Sequence, residues 1–249
     1  MTKSRGGIIK KIDSVNNKII IETAKLKQKK YRQNNHRFLV EGYHLIEEAY
    51  KANVLKTIFF IDNNPFKDIE NYQVNQQIIS KLSSVTNNQG IVGVCEIKTQ
   101  SQLTEKILLL DRIQDPGNMG TIIRSAIAFN YKTIVMEQCV DVYNAKVIRA
   151  TQGAIFQVNI IEKPLKTFIN QNSDYYYLAT DLSSENYLKD ISIKSKKIGL
   201  ILGNEGSGIR SEIIELANSV VKIKINTMES LNVSIAGSIL MYEINKGEK

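Results

Sequence analysis

Three glycines and one acid lie together in residues 200–210 (LILGNEGSGIR), between a predicted strand and a predicted helix. Glycines in such a turn allow the backbone to approach a ligand closely. The order Gly203-x-x-Gly206-x-Gly208 differs from the G-x-G-x-x-G spacing of dinucleotide-binding turns, and it lacks the G-K-[ST] ending of a phosphate-binding loop. A carboxylate at Glu205 would also repel a pyrophosphate. The turn therefore favours a ligand without phosphates, and a ligand with a cationic centre would tolerate Glu205 best.

Side chains that commonly act as bases or metal ligands are few. The two histidines, His36 and His44, and the two cysteines, Cys95 and Cys139, show no metal-ligand spacing. We therefore expect no metal site and two buried free thiols. Because no histidine lies beyond residue 44, the part of the chain that carries the glycine turn has no imidazole base.

Apolar runs and helical periodicity alternate through the second part of the chain. They predict strands over 107–113, 132–137, 175–182, 197–203 and 220–225, and helices over 121–130, 144–156, 210–218 and 231–244. This alternation predicts a mostly parallel sheet, and ligands of such sheets bind at the carboxyl ends of the strands. The loops at 111–120, 203–209 and 226–232 follow strands, so we expect them at that edge.

The first part of the chain has a similar alternation on a smaller scale. It predicts a basic amphipathic helix over 17–33, helices over 43–53 and 75–84, and strands over 37–42, 55–62 and 90–97. The polar residues 98–105 lack an apolar period and read as a linker. The predicted organisation is an amino-terminal domain (1–97), a linker (98–105) and a second domain (106–249).

Basic residues are concentrated at the amino-terminal end. Residues 1–40 carry 11 Lys and Arg side chains and two acids, a net charge of +9 in a chain whose total is +8. Such an excess is typical of a surface that binds a polyanion, although a solvated lysine-rich face is the alternative from charge alone. No stretch approaches the roughly 20 apolar residues of a membrane span, and the first residues lack the apolar core of a secretion signal. We therefore expect a soluble, cytoplasmic protein.

Three segments of the second part form an ordered set: LDRIQDPGNMGTIIRSA (110–126), LILGNEGSGIR (200–210) and MESLNVSIAGSILMYE (228–243). Together they resemble the three signature motifs of the SpoU-type RNA ribose 2′-O-methyltransferases of the SPOUT class. Residues 25–49 and 86–94 resemble the substrate-binding amino-terminal domain of that family. The resemblance covers nearly the whole chain. It implies a small α/β RNA-binding domain followed by an α/β domain with a parallel sheet and a trefoil knot.

The resemblance also implies an activity and its partners. S-adenosylmethionine would bind in the knot, against backbone of the second and third motifs, and it carries a sulfonium cation and no phosphate. The methyl group would pass to a ribose 2′-hydroxyl of RNA. Ribosomal RNA of the large subunit is favoured, because the tRNA enzymes of the family usually lack the amino-terminal domain. Family members are homodimers in which each site is completed across the interface.

The resemblance assigns roles to individual residues of this chain. The catalytic set is Asn118, Arg124, Glu205, Ser230 and Asn232. The cofactor-binding set is Thr180, Leu202, Gly203, Ile223, Ile225 and Leu231. The candidate RNA contacts of the basic helix are Lys25, Lys29, Lys30 and Arg32. Because a guanidinium is hard to deprotonate, Arg124 is expected to hold a phosphate and stabilise developing alkoxide charge rather than act as a simple base.

One departure from the family pattern lies at the entrance to the third motif. Ile223-Lys224-Ile225 stands where the family usually has Ile-Pro and a hydrophobic residue, and the loop that follows is shorter. The alignment of Ile223 can therefore shift by a residue or two. Three alternatives stay open: a tRNA 2′-O-methyltransferase, a catalytically inactive rRNA-binding or assembly protein, and a nucleotide-dependent oxidoreductase, which the glycine spacing disfavours.

Overall fold

The computed structural model describes residues 9–64, 66, 68–98, 102–193 and 195–246. These residues form two compact units. The first holds the described residues up to Lys98 together with Tyr143–Phe156, and the second holds the described residues of 99–142 and 157–249. The linker at 98–105 stays a prediction. Tyr143–Phe156 lies within the predicted second domain but belongs to the first compact unit.

A five-stranded mixed sheet forms the centre of the first unit. Its strands are β1 (Ile9–Ile12), β2 (Arg37–Glu41), β3 (Leu55–Phe60), β4 (Glu70–Val74) and β5 (Ile91–Glu96), in the order β1-β4-β3-β5-β2. Strands β1, β4 and β3 run parallel, and β5 is antiparallel to both β3 and β2. The sequence did not predict β1 and β4, because short strands with polar side chains among the apolar ones give a weak periodic signal.

A six-stranded sheet forms the centre of the second unit. Its strands are β6 (Lys106–Asp111), β7 (Thr133–Glu137), β8 (Asn159–Glu162), β9 (Tyr176–Thr180), β10 (Ile198–Gly203) and β11 (Ser219–Val221), in the order β11-β9-β10-β6-β7-β8. Every pairing is parallel, which confirms the predicted sheet type. The central strands β6 and β10 are buried along their whole length, as expected for a parallel sheet covered on both faces.

Most of the predicted helices are present, with shifted ends. The helices are α1 (Lys18–Lys25), α2 (Lys29–Asn35), α3 (Tyr43–Lys51), α4 (Gln76–Leu82), α5 (Pro116–Ala128), α6 (Ala145–Thr151), α7 (Leu165–Gln171), α8 (Ser211–Ile214) and α9 (Val233–Lys246). Helix α7 and strand β8 were not predicted. The predicted helix over 210–218 is only the short α8, and α5 begins at Pro116, within the predicted loop over 111–120.

The predicted basic helix over 17–33 is wrong in one respect, because it consists of two helices. Helix α1 begins after Asn17, whose side chain accepts a hydrogen bond from the Ile19 N–H. The chain is extended at Gln28 before α2 begins. The Arg32 guanidinium donates to the carbonyl oxygens of Leu26 and Lys27, at 2.8 and 2.7 Å. These carbonyls lie beyond the end of α1, so Arg32 supplies the donors that a continuous helix would have supplied.

The described residues contain no helix long and apolar enough to cross a membrane. They also contain no group of three or more His, Cys, Asp or Glu side chains suited to a metal ion. Cys95 is buried as predicted, whereas Cys139 is only partly buried. Burial raises the pKa of both thiols, that of Cys139 to about 12, so neither is a thiolate nucleophile at neutral pH.

Candidate cofactor and catalytic site

Two of the three predicted site loops leave the sheet side by side. Strands β6 and β10 pair in parallel, and their last residues, Asp111 and Gly203, lie opposite each other. The chain after Asp111 leads into α5, and the chain after Gly203 is the glycine turn. The parallel register therefore places the first and second motifs together at the carboxyl edge of the sheet, as predicted.

The beginning of α5 is determined by local sequence. The Asp115 side chain caps the helix by accepting a hydrogen bond from the Asn118 N–H at 2.8 Å. Pro116 follows at the first helical position, where its missing N–H costs no helical hydrogen bond. The cap fixes the backbone of Asn118 in the first turn of α5, at the sheet edge.

Glu205 is exposed, and its carboxylate binds this helix beginning. Its Oε1 accepts hydrogen bonds from the Asp115 N–H at 3.1 Å and from the Asn118 side-chain amide at 3.0 Å. Its Oε2 accepts a longer one from the Gln114 N–H at 3.3 Å. The amino-terminal end of a helix favours a negative charge, which explains why an acid is accommodated in a turn of this kind. Glu205 therefore fastens the glycine turn to α5.

The same contacts determine the ionisation of Glu205. Burial raises the pKa of its carboxyl, but hydrogen bonds from the Asn118 amide and from backbone N–H groups outweigh burial. The pKa therefore lies below its ordinary value. Glu205 is a fixed anion at neutral pH, so it accepts hydrogen bonds and is poorly suited to act as a general base.

The third predicted loop joins this set through Asn118. Its side-chain oxygen accepts a hydrogen bond from the Asn232 amide at 2.8 Å. The Asn232 oxygen in turn accepts from the Ser234 N–H at 2.9 Å, at the beginning of α9. Asn232 therefore fixes the start of α9 and also its approach to α5. The chain of contacts Glu205–Asn118–Asn232 connects all three motifs.

The glycine turn itself is narrow. A Cβ added to Gly203 would lie 2.3 Å from the backbone carbonyl carbon of Gly208, so no other residue fits at position 203 without moving backbone. Gly208 has a φ of +67°, in the region that glycine favours. Between them, the Asn204 side-chain oxygen accepts from the N–H groups of Gly206 and Ser207, both at 3.0 Å. The turn is thus closed by backbone hydrogen bonds between Asn204 and Gly208 and by the side-chain amide oxygen of Asn204.

A cavity of about 560 Å³ opens beside these loops within the second unit. Most of the predicted catalytic and cofactor-binding residues line it: Asn118, Thr180, Gly203, Glu205, Ile223, Ile225, Ser230, Leu231 and Asn232. Two predicted residues do not. Leu202 is buried in β10, where it approaches Gly237 of α9. Arg124 is exposed on α5, six residues beyond Asn118 and roughly 9 Å further along the helix axis.

Several residues of the cavity were not predicted, among them two charged residues and one asparagine. Asp181 and Lys222 follow β9 and β11 and line the cavity. Both directly follow a parallel strand, but the predicted strands over 175–182 and 220–225 contained them, so their position gave no signal. Asn204 organises the turn, and the preference of asparagine for such turns was the available signal.

The basic residues of the first unit differ in their accessibility. Lys29 and Lys30 are exposed, and Lys25 forms an ion pair with Glu22 at 2.7 Å. Arg32 is only 5% exposed, and its guanidinium is directed to the backbone carbonyls beyond α1. Arg32 is therefore much less accessible than the lysines, and its contact with RNA stays a prediction. Lys27 likewise donates to a backbone carbonyl, that of Ser83, at 2.6 Å.

Two known families match successive parts of this chain. Residues 105–242 match the SpoU rRNA methylase family, and residues 17–93 match the MRM3-like substrate-binding domain. The first match contains the first two motifs, the third motif up to Tyr242, and the cavity, and the second match contains the basic helices α1 and α2.

Similar proteins match almost the full length of the chain. The 23S rRNA (guanosine(2553)-2′-O)-methyltransferase RlmP of Bacillus subtilis is 31% identical, over 95% of this chain and 99% of that protein. Mitochondrial rRNA methyltransferase 3 of Mus musculus is 25% identical, over 88% of this chain and 69% of that protein. The crystal structure of the AdoMet-bound rRNA methyltransferase from Sinorhizobium meliloti superposes with a TM-score of 0.85 at 28% identity, covering 97% of this chain and 99% of that one.

Proposed function

Because this chain belongs to the SpoU rRNA methylase family, we propose that it methylates a ribose 2′-hydroxyl of ribosomal RNA with S-adenosylmethionine as the methyl donor. The observation that carries the proposal is the contact chain Glu205–Asn118–Asn232, which connects the three motifs beside one cavity. The enzymes named above act on ribosomal RNA, and this is why we favour that substrate over tRNA.

The cavity suits S-adenosylmethionine in shape and charge. Ile223, Ile225 and Leu231 provide apolar walls for an adenine ring, and the narrow glycine turn presents backbone without side chains. The side-chain charges that line the cavity are those of Glu205, Asp181 and Lys222. Two carboxylates against one ammonium suit a donor that carries a sulfonium and no phosphate. When bound, that donor supplies an electrophilic methyl group whose leaving group departs readily.

The residues of the chain would then align the acceptor and stabilise charge. We assign Asn118, Glu205 and Asn232 a positioning role, because their side chains hold one another. Ser230 lines the same cavity and is free to orient the ribose. Arg124 would bind the neighbouring phosphate and stabilise the developing alkoxide by charge-assisted hydrogen bonds. Thr180, Gly203, Ile223, Ile225 and Leu231 would form the cofactor cradle, with Leu202 supporting it from the core.

We propose that Arg124 works in the site of a partner subunit of a homodimer. Arg124 is exposed, does not line the cavity of its own chain, and forms no ion pair within the described residues. Exposed apolar side chains follow one side of α9, at Ile235, Ile239 and Tyr242. Their spacing of four and three residues forms one stripe, which suits burial against a second copy.

The first unit would hold the RNA. Lys29 and Lys30 are exposed on α2, and Lys25 lies close by in sequence at the end of α1. Ammonium groups of this kind bind the phosphate backbone and release counterions. We also retain, as proposals, the trefoil knot in the second unit, the division of the chain at residues 98–105, and a place of action in the cytoplasm, where ribosomes are assembled.

Methyl transfer from tritiated S-adenosylmethionine to isolated RNA tests the proposal. We expect label in large-subunit ribosomal RNA, resistant to alkaline hydrolysis at one linkage because the 2′-oxygen is blocked. The Arg124→Ala variant should lose at least about 100-fold in kcat. Label in tRNA alone would contradict the proposed substrate, and binding of ribosomal RNA without label in any RNA would contradict the proposed reaction.

A further inference from the structure

A partly buried ion cluster adjoins the glycine turn. Asp111, the last residue of β6, is fully buried with 0% exposure. Both of its carboxylate oxygens are bound by Arg210, the residue that follows the turn and Ile209. The Arg210 backbone N–H donates to Oδ2 at 2.8 Å, and the guanidinium Nε donates to Oδ1 at 2.9 Å. One residue therefore connects the exit of the turn to the central strand.

The same guanidinium reaches a second strand. Its terminal nitrogen donates to Glu137, the last residue of β7, at 2.5 Å. Glu137 also accepts from the Leu165 N–H at 2.8 Å, at the beginning of α7. Burial raises the pKa of Glu137, but the hydrogen bonds from Arg210 and the Leu165 N–H outweigh it, so the pKa lies below its ordinary value. Arg210 therefore joins β6, β7 and α7 through the side chains of Asp111 and Glu137.

These contacts require arginine rather than lysine. A guanidinium is planar and directs several N–H groups to different acceptors at once, whereas an ammonium is a single point charge. Removing the guanidinium would leave a buried Asp111 carboxylate without its main partner, although Arg112 lies 3.5 Å away. The exit of the turn at Ile209 would then be held to the sheet by the Arg210 backbone N–H alone, which donates to Asp111 Oδ2.

We propose that Arg210 is a positioning residue that holds the glycine turn in its cofactor-binding shape. Its attachment to Asp111 and Glu137 anchors the carboxyl end of the turn, and the Gly203 backbone anchors the other end in β10. With both ends anchored, Glu205 at the tip reaches Asp115 and Asn118. This inference rests on the proposed S-adenosylmethionine site, although the anchoring itself does not.

The Arg210→Lys variant tests the proposal with two measurements. Hydrogen exchange of the unliganded chain should show amides of residues 204–208 exchanging at least about tenfold faster, with amides of β6 and β10 unchanged. Calorimetric titration with S-adenosylmethionine should show a Kd raised about tenfold, the loss of about 1.4 kcal/mol. Steady-state kinetics should show this loss in the KM for S-adenosylmethionine more than in kcat, as expected when binding geometry and not chemistry is disturbed.

Glu212→Gln is the matched control. Glu212 contacts the same guanidinium at 3.1 Å, but its side chain is half exposed and it is not attached to the sheet. Exposed ion pairs contribute little, so both measurements should stay within about twofold of the unaltered chain. If Arg210→Lys does not fold, Glu137→Gln removes the charge of one arm of the anchor and should give a smaller change at the same amides.

Two results would overturn the proposal. One is turn amides that exchange at unaltered rates in Arg210→Lys, and the other is a loss of protection that is equal throughout the second unit. If turn amides respond as expected but the unaltered chain gives no heat with S-adenosylmethionine, the anchoring role stands and the proposed cofactor is wrong.

Discussion

The Asn232 side-chain amide donates to the side-chain oxygen of Asn118 across 2.8 Å, although 114 positions separate the two residues in the chain. The Asn118 side-chain nitrogen also donates to Glu205, so hydrogen bonds at both the oxygen and the nitrogen fix the orientation of this side chain. A substitution at Asn118 therefore affects the glycine turn and the beginning of α9 together.

Replacing Asn118 with aspartate should disable the site by detaching the glycine turn from α5. The new carboxylate would face Glu205 at about 3.0 Å and would remove the donor that Glu205 binds. Losing a hydrogen bond to a charged group predicts a fall of roughly 10- to 100-fold in kcat/KM for methyl transfer. Thr121→Ala is the control, since Thr121 is exposed on α5 and bonds only the carbonyl of its own helix at Gly117. Equal activities of the two variants would contradict the role of Asn118.

Replacing Gly203 with alanine should abolish cofactor binding. Its Cβ would lie 2.3 Å from the Gly208 backbone, which cannot move without opening the turn. A Cβ at Gly206 would meet only the Asn204 oxygen, at 3.7 Å. Calorimetry should therefore show a Kd for S-adenosylmethionine raised at least about tenfold in Gly203→Ala and nearly unchanged in Gly206→Ala. The prediction fails if the two variants bind alike.

Acid should remove the stabilising effect of Glu205. Its pKa in the folded chain lies below the ordinary 4.5, so the folded state favours the ionised form. The resulting stability is fully present above pH 4.5 and is lost as the pH falls through the lowered value. Thermal denaturation should thus show a Tm difference between the unaltered chain and Glu205→Gln that is largest near neutral pH and shrinks below pH 4.5. Glu215→Gln, at an exposed position of the same region, should show no such trend, and a constant difference for Glu205→Gln would refute the assignment.

Mixed dimers test whether Arg124 serves the partner's site. Arg124→Ala and Asn118→Asp chains should each be nearly inactive alone. A heterodimer of the two would contain one site with an intact Asn118 and an intact Arg124, so random mixing should restore about a quarter of the activity. If Arg124 served its own site, every site in the mixture would carry one defect and no activity would return.

The sequence by itself determined the two sheets in outline and the loops at the edge of the second. Continuous apolar runs predicted β6, β7, β9 and β10, because strands buried on both faces need apolar side chains at every position. The resemblance to the SpoU-type enzymes indicated the motif residues, and the structure gathers Asn118, Glu205 and Asn232 at this edge. The short strands β1 and β4 were not predicted, because polar residues among their apolar ones obscure the alternating pattern of a strand.

Only the tertiary structure decided what each side chain contacts. Arg32 and Lys29 belong to the same basic run, yet one is buried against backbone carbonyls and the other is exposed. Leu202 and Gly203 are neighbours, yet only Gly203 lines the cavity. Arg210 finds its partners at Asp111 and Glu137, 99 and 73 residues away. Local periodicity shows which residues enter a strand or helix, whereas partners so distant are set by strand order and register, which depend on the packing of the whole unit.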